Sequence, residues 1–426
     1  MERRSETMRQ IRDLVKEHFG LQSREDADSA NMNIPLIAPS YGWEEVVEAI
    51  DSMLSTQVTM GSKVKQFESM FAKYIGKAEA IMVNSGSSAN LLALSLLTNP
   101  ALKNRIEPGD EVITPAVTWA TTVYPIINCG LVPVLVDVGL ETFDINVAEI
   151  QKAINKRTRA ILLVHLLGNP CDMDPIMEIS EKHKLFVIED ACEAHGAEYK
   201  GRKAGNFGHL STFSFYFSHH ITTIEGGMVL TDDEEIAELA RSLRVFGWIR
   251  DLKGKDELAA AHGDIDPRYL FTNIGYNFRP TEIQGAFGIH QMGKLEDLIE
   301  IRRENARFWT QNLKKFGDSL ILHEEREDTR HAWFGYPLTV RAKAPFTRKQ
   351  LVTFLEKRGV ETRPIMCGNI DEQPVMRLFP YRKVGELTNS RFIMRNSFFI
   401  GNHQAITKAK REALVEYVKE FMSELS

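Results

Sequence analysis

Hydrophobic and polar positions follow two different rhythms along the 426-residue chain. Residues 5–19 set Met8, Ile11, Leu14, Val15 and Phe19 at helical spacing with charges between them. This spacing predicts an amphipathic helix that must pack on something. The polar run at 23–33, SREDADSANMN, reads as a linker. From about residue 35 the rhythm changes to short β-rich runs separated by helix-length segments. The runs fall at 80–83, 111–114, 132–138, 160–167, 185–188, 212–217 and 228–231. Several are apolar almost throughout, as strands buried on both faces tend to be. Their alternation with helices predicts an α/β domain with a mostly parallel sheet. After about residue 300, long charged helical stretches flank a strand-like 334–340, which predicts a smaller α+β domain. Residues 251–270 are polar and mixed, an excursion from the main body. The expected organisation is an N-terminal helical extension and linker (1–33), a large domain (34–295) and a small C-terminal domain (296–426).

Charge and cysteine usage narrow the function classes. The 58 acidic and 52 basic side chains leave a formal charge of −6, with no global pull toward nucleic acid or an anionic membrane. The 4 cysteines, Cys129, Cys171, Cys192 and Cys367, are scattered and form no CxxC pair, so a zinc ribbon or a thioredoxin-type site is not expected. Reduced thiols in the cytosol are the default for such a chain. The start, MERRSETMRQ, lacks the apolar stretch of a signal peptide, and runs such as 160–167 are too short to span a bilayer. The expectation is a soluble cytoplasmic protein that binds neither membrane nor nucleic acid.

Three segments carry candidate chemistry. The run NSGSSAN at 84–90 follows a short strand and precedes an apolar helix. A strand–turn–helix junction of small polar residues aims backbone N–H groups at an anion such as phosphate; a serine-rich N-cap accounts for the same residues. The strand-like 185–188 leads into Glu189 and Asp190, with Glu193 and His195 just beyond. Acids at the carboxyl end of such a strand line the ligand crevice of open α/β sheets, or cap and solvate the turn. The third segment, 214–227, reads SFYFSHHITTIEGG. Its adjacent His219 and His220 suggest a metal half-site, but neighbouring side chains on a strand point to opposite faces.

Taken together, these segments resemble the DegT/DnrJ/StrS family of sugar aminotransferase-type enzymes, which are fold-type I, pyridoxal-phosphate (PLP) dependent proteins. The resemblance covers nearly the whole chain from about residue 34. It includes Ile34-Pro35-Leu36, Thr118-Trp119, Glu189-Asp190-Ala191, Ser214-Phe215, Glu225-Gly226-Gly227 and Gly275-Tyr276-Asn277-Phe278-Arg279. It implies an aspartate aminotransferase-like large domain. It also implies that Gly86, Ser87 and Ser214 contact the cofactor phosphate and that Trp119 stacks on the ring. Asp190 would pair with the pyridine nitrogen, and Glu193, where many relatives have Gln, would lie near the ring oxygen. Asn277 would reach the phosphate of a neighbouring subunit, which implies a homodimer with shared active sites.

The departure from the family pattern carries more information than the match. Where the aminotransferases have the lysine that bonds PLP covalently, this chain has His219, and no lysine lies between Lys203 and Lys253. Imidazole forms no Schiff base. The pattern His219-His220-Ile221-Thr222 with Glu225-Gly226-Gly227 is similar to one branch of the family, the NDP-4-keto-6-deoxyhexose 3-dehydratases of dideoxysugar and lipopolysaccharide O-antigen biosynthesis. That branch implies PLP/PMP as cofactor, L-glutamate as amino donor, a nucleotide-linked 4-keto-6-deoxyhexose as substrate and His219 as the catalytic base. Relatives that need an iron–sulfur cluster carry clustered cysteines after an Arg-Ser-φ-Arg segment, where φ is apolar. Here Arg241-Ser242-Leu243-Arg244 is followed by no cysteine until Cys367, which favours the cluster-free chemistry. His220, His331 and Arg363 remain candidates for contact with the substrate.

Overall fold

A computed structural model describes residues 2–28 and 32–425. The apolar runs become an eight-stranded sheet. Its order is Glu79–Val83, Gly227–Thr231, Leu210–Ser214, Phe186–Asp190, Thr158–Val164, Glu111–Pro115, Val132–Val136 and Arg382–Lys383. Only Gly227–Thr231 runs against its neighbours; all other pairs are parallel. The central strands are covered on both faces, so Ile81, Ile188, Leu210 and Val229 are fully buried on one side of the sheet. The helix Gly86–Leu97 covers that side, because Leu92, Leu96 and Ala93 present an apolar face to it. Phe67, Phe71, Phe213 and Phe215 fill the opposite side with edge-on ring contacts.

Two strands end earlier than the hydrophobic pattern predicts. The run at 160–167 leaves the sheet after Val164 and turns through the 3-10 segment Leu166–Gly168, where Leu167 takes a left-handed φ of 53°. The run at 212–217 stops at Ser214, whose pairing with Gly227 is the last in the register. Hydrophobicity persists past the first end because Leu166 and Leu167 pack with Ile365 and Phe399 of the second body, and past the other because Phe215 packs on Phe67 and Phe71, while Tyr216 is half-exposed.

That second body is an antiparallel sheet, ordered Leu320–Leu322, Gly335–Val340, Ser397–Gly401 and Thr362–Pro364. It packs with Trp309, Tyr336, Leu414 and Val418 in its core. The chain crosses between the two bodies more than once. Ile34 bridges to Val360 and lies in the second core, while Arg382–Lys383 returns to the edge of the first sheet. The N-terminal helix runs over Glu2–Asp28, so the first part of the polar run at 23–33 is helical; residues 29–31 lie outside the described residues. Lys16 sits over the Trp43 ring at 5.2 Å, which ties this helix to Trp43–Leu54. The excursion at 251–270 holds the helix Lys255–Ala261, which buries no residue. Among the described residues, no helix is long and apolar enough to cross a membrane.

Candidate active site

The carboxyl ends of Thr158–Val164, Phe186–Asp190 and Leu210–Ser214 open into a cavity of about 370 Å³, walled on its other side by Phe334, Met366 and Phe399. A broader depression of about 1010 Å³ lies at the opposite, amino ends of these strands, around Arg159, Phe186 and His209. The smaller cavity is where an open α/β sheet places ligands, and it gathers the candidate chemistry. Gly86, Ser87, Trp119, Asp190, Glu193, Ser214 and His219 all line it.

Asp190 is fixed before any ligand arrives. Its Oδ2 accepts from Asn90 Nδ2 at 2.8 Å and from Thr122 Oγ1 at 2.8 Å, and its Oδ1 accepts from Cys192 N at 3.2 Å. Thr212 Oγ1 donates to Asn90 Oδ1 at 2.6 Å and Thr118 Oγ1 to Thr122 Oγ1 at 2.8 Å, so a second layer orients the first. Asp190 is 4% exposed, and among the described residues no Lys, Arg or His pairs with it. A buried carboxylate with only neutral partners calls for a cationic ligand group. Its neighbour Glu189 points the other way along the strand. Glu189 accepts from Gly205 N at 2.7 Å and Phe207 N at 2.7 Å and meets His165 Nε2 at 2.9 Å, a structural strut for the 205–208 turn.

At the other end of the cavity, the helix Gly86–Leu97 starts from Ser85, whose hydroxyl accepts from Ser88 N at 3.1 Å. A Cβ on Gly86 would meet Ser214 Cβ at 2.5 Å, and one on Gly227 would meet Ser85 O at 2.2 Å. Glycine at both positions lets the helix start, the Ser214 hydroxyl and the Gly-Gly turn converge. The result is a ring of uncharged donors suited to a phosphate. An acceptor for a cation at one end, phosphate donors at the other and the half-exposed Trp119 ring between them fit PLP.

His219 sits in a turn after Ser214, with its N–H bonded to Tyr216 O at 2.9 Å. Its Nδ1 is buried without a partner, which leaves Nε2 as the ring nitrogen toward the cavity. Burial first, and the Arg302 charge second, hold this imidazole well below its ordinary range. His220 leaves the site: its Nε2 bonds Ala332 O at 3.0 Å and the residue is 0% exposed. The two rings diverge as the sequence predicts, although through a turn and not along a strand.

The structure also keeps three further candidates out of this chain's cavity. His331 is buried, accepts from Trp333 N at 2.8 Å and stacks on the Trp333 ring at 3.9 Å, so it braces a turn. Arg363 lies on an exposed strand end, where its Nη1 bonds Thr362 O at 2.9 Å. Asn277 is exposed and accepts from Arg279 Nε at 2.9 Å. Sequence reasoning missed Asn90 and Thr122 as the residues that hold Asp190. Asn90 closes the polar run 84–90 just before the apolar part of its helix, and nothing local singles it out as the partner of Asp190.

Glu193 is 9% exposed and accepts from Leu167 N at 2.8 Å. Burial pushes its carboxyl up to about 8; the Leu167 N–H opposes this and the Asp190 charge adds to it. At neutral pH the side chain is a neutral acid, close in shape and hydrogen bonding to the glutamine of relatives. A folded-state value above the unfolded one means that the folded form holds this proton more tightly. Stability from this group is therefore fully present below about 4.5 and is lost as pH rises toward about 8. Glu193→Gln removes that loss. The cofactor-free variant is expected to melt with the parent at pH 5 and above it at pH 9. The gain at pH 9 should reach a few kcal/mol, since each tenfold change in proton affinity corresponds to about 1.4 kcal/mol. Equal melting differences at both pH values would contradict the neutral acid.

Residues 40–419 match the DegT/DnrJ/EryC1/StrS aminotransferase family. The chain is 40% identical over 378 residues to the GDP-4-keto-6-deoxy-D-mannose 3-dehydratase of Yersinia pseudotuberculosis, covering 88% of this chain and 95% of that one. It is 41% identical over 396 residues to the dTDP-4-dehydro-2,6-dideoxy-D-glucose 3-dehydratase of Saccharopolyspora spinosa, covering 90% and 85%. Among solved structures it is similar to E. coli GDP-4-keto-6-deoxy-D-mannose-3-dehydratase with bound hydrated PLP, with TM-score 0.85 and 36% identity over 90% of this chain and 99% of that chain. A matched span of this length, with relatives this similar over most of both chains, means that the chain belongs to the DegT/DnrJ/EryC1/StrS aminotransferase family.

Proposed function

We propose that this protein is a PLP/PMP-dependent 3-dehydratase that removes the C3 hydroxyl of a nucleotide-linked 4-keto-6-deoxyhexose. The carrying observation is His219: the cavity places an imidazole, and no lysine, beside the Asp190 and Ser214 constellation. Relatives of 40% and 41% identity with 3-dehydratase activity support the reading. The neighbour structure with a trapped PLP-glutamate geminal diamine supports L-glutamate as donor. One of the two relatives is named for a GDP sugar and the other for a dTDP sugar, so the nucleotide is a matter for assay.

Bound in the cavity, the cofactor supplies an amine for the sugar's C4 carbonyl and a ring that withdraws electrons from the reacting carbons. Asp190 would hold the pyridine nitrogen protonated, with Asn90 and Thr122 keeping that carboxylate aimed. Gly86, Ser87 and Ser214 would bind the phosphate, Trp119 would cover a ring face, and the neutral Glu193 carboxyl would lie on the ring-oxygen side. His219 Nε2 would take a proton at the cofactor's C4′ carbon and return one to the C3 hydroxyl as it leaves. With no lysine among the lining residues, no amine of this chain competes for the cofactor aldehyde. The C3 oxygen leaves as water and the amino group as ammonia. Each sugar deoxygenated therefore consumes one glutamate and yields one 2-oxoglutarate and one ammonium. The chemistry is cluster-free, since no cysteine follows Arg244 until Cys367.

In the proposed division 34–295 and 296–426, the cofactor would be held by the large domain, with Phe334, Met366 and Phe399 of the small one walling the cavity. A homodimer completes the site. Asn277 follows Tyr269, Phe271 and Ile274, which are 70%, 49% and 91% exposed, an apolar surface that a second copy covers while Asn277 reaches the partner's phosphate. Such an enzyme works in the cytoplasm, where its nucleotide-sugar substrates are made.

Incubation with PLP, L-glutamate and a panel of GDP-, CDP- and dTDP-4-keto-6-deoxyhexoses tests the reading. Mass spectrometry is expected to show loss of oxygen at C3, with 2-oxoglutarate and ammonium released in equal amounts. A stable amino sugar, with oxygen retained at C3, would make the protein an aminotransferase instead.

A further inference from the structure

Behind His219 lies a buried group that the reaction above does not use. His195 is 0% exposed and neither of its ring nitrogens makes a well-formed hydrogen bond. Its ring centroid lies 6.1 Å from that of His219 and 5.5 Å from that of His220. The Phe334 ring touches the other two, at 5.3 Å from His219 and 5.9 Å from His220. Nδ1 of His219 and Nδ1 of His220 are also buried and unpaired. Next to this group is Arg302, 4% exposed, on the helix Leu295–Leu313. Its Nη1 donates to Phe334 O at 3.0 Å and to Asn402 O, its Nε has no partner, and among the described residues no carboxylate pairs with it.

A guanidinium buried with carbonyl partners alone is costly and conspicuous, because buried cations are normally paired. Its field also reaches further than a paired ion's, since no neighbouring negative charge cancels it. We propose that Arg302 is a positioning residue whose unpaired charge keeps His219 uncharged and ready to accept a proton. The inference rests on His219 being the base of the proposed reaction. It adds a reason for the second half of the proton's path. An imidazolium formed at His219 is repelled from behind, so the same field that disfavours protonation at rest drives the proton onward to the departing hydroxyl.

The other groups facing His219 can be placed on either side of this balance. From the cavity, Tyr216 and the carboxyls of Asp190, Glu193 and Glu225 line the same space, and their charged forms favour a protonated ring. From behind, Arg302 opposes it, while His195 and His220, both held well below the ordinary range by burial first, are uncharged neighbours. Burial and then Arg302 hold His219 down, and the same charge acts on His195 and His220. His403 is lowered too, by burial first and with a smaller effect of Arg302.

The test reads His219 directly. Diethyl pyrocarbonate modifies only neutral imidazole, so the pH dependence of its reaction at His219, followed by peptide mass spectrometry on the full-length protein, reports the ring's protonation without requiring turnover. In the unaltered protein, His219 is expected to stay reactive well below pH 6; a midpoint near the ordinary value of about 6.5 overturns the proposal. Arg302→Met is expected to raise the midpoint by about 1–3 pH units, the size of a short-range charge effect. Arg302→Lys keeps the charge and is expected to keep the parent's midpoint. A Lys variant shifted as far as the Met variant would mean that Arg302 acts by packing alone, and the proposal falls. If the Met variant does not fold, Arg302→Gln, which removes the charge but keeps a donor for the same carbonyls, takes its place, and a Gln variant with the parent's midpoint overturns the proposal. An altered midpoint without any dehydratase activity would keep the Arg302 inference and remove the proposed function, so the two fail separately.

Discussion

Replacing His219 by asparagine is expected to lower formation of the 3-deoxy sugar by about 10²–10⁴-fold, the usual contribution of a positioned base. Among the described residues the ring is the only imidazole lining the cavity. Cofactor retention should change little, because Asp190, Ser214 and the start of the helix Gly86–Leu97 are untouched. Rapid-quench mass spectrometry of the sugar, alongside cofactor absorbance, checks both halves. His219→Lys carries the sharper contrast. It should create a borohydride-reducible bond to PLP, visible as a new absorbance band, while dehydration is lost. A lysine variant that dehydrates normally and shows no such band would remove His219 from its role.

The second large effect belongs to Asp190. Asp190→Asn keeps the shape of the side chain and an oxygen that accepts from Asn90 and Thr122, but loses the negative charge at the end of the cavity. Breaking a buried ion pair from one side costs about 3–5 kcal/mol, equivalent to roughly 10²–10⁴ in turnover. Cofactor retention on dialysis should weaken in parallel, while the melting curve of the cofactor-free protein stays close to the parent's. Asn90→Ala should produce a smaller loss in the same direction, because it removes a donor that aims the carboxylate and not the charge. A turnover loss in Asp190→Asn with unweakened cofactor retention would argue against pairing with the pyridine nitrogen.

Much of this was legible along the chain, because the informative signals are local. Period-two and continuous apolar runs mark strands, and small polar residues between a strand and a helix mark the phosphate turn at 84–90. The placement of Asp190 at a strand end follows from the same reading. Where the pattern ran past the pairing, at 160–167 and 212–217, hydrophobicity measured burial and not hydrogen bonding. Residue type alone does not place His331 and Arg363. Both are reactive side chains, yet one braces the Trp333 turn and the other stays on an exposed strand end, and nothing in the neighbouring residues distinguishes those positions.

The sequence by itself determined that no lysine of the segment between Lys203 and Lys253 can reach the cofactor, since a residue that is absent cannot be supplied by folding. The scattered cysteines and the order of motifs are equally properties of the chain alone. Only the tertiary structure decided what surrounds His219. Asn90 meets Asp190 across 100 positions, and Arg302, on a helix of the other body, lies behind a histidine turn. Such contacts join distant segments whose local patterns specify helix or strand but carry no record of the partner. The charge and hydrogen bonding that set a base or an acid come from those partners, so the chemistry of the site was completed only by packing.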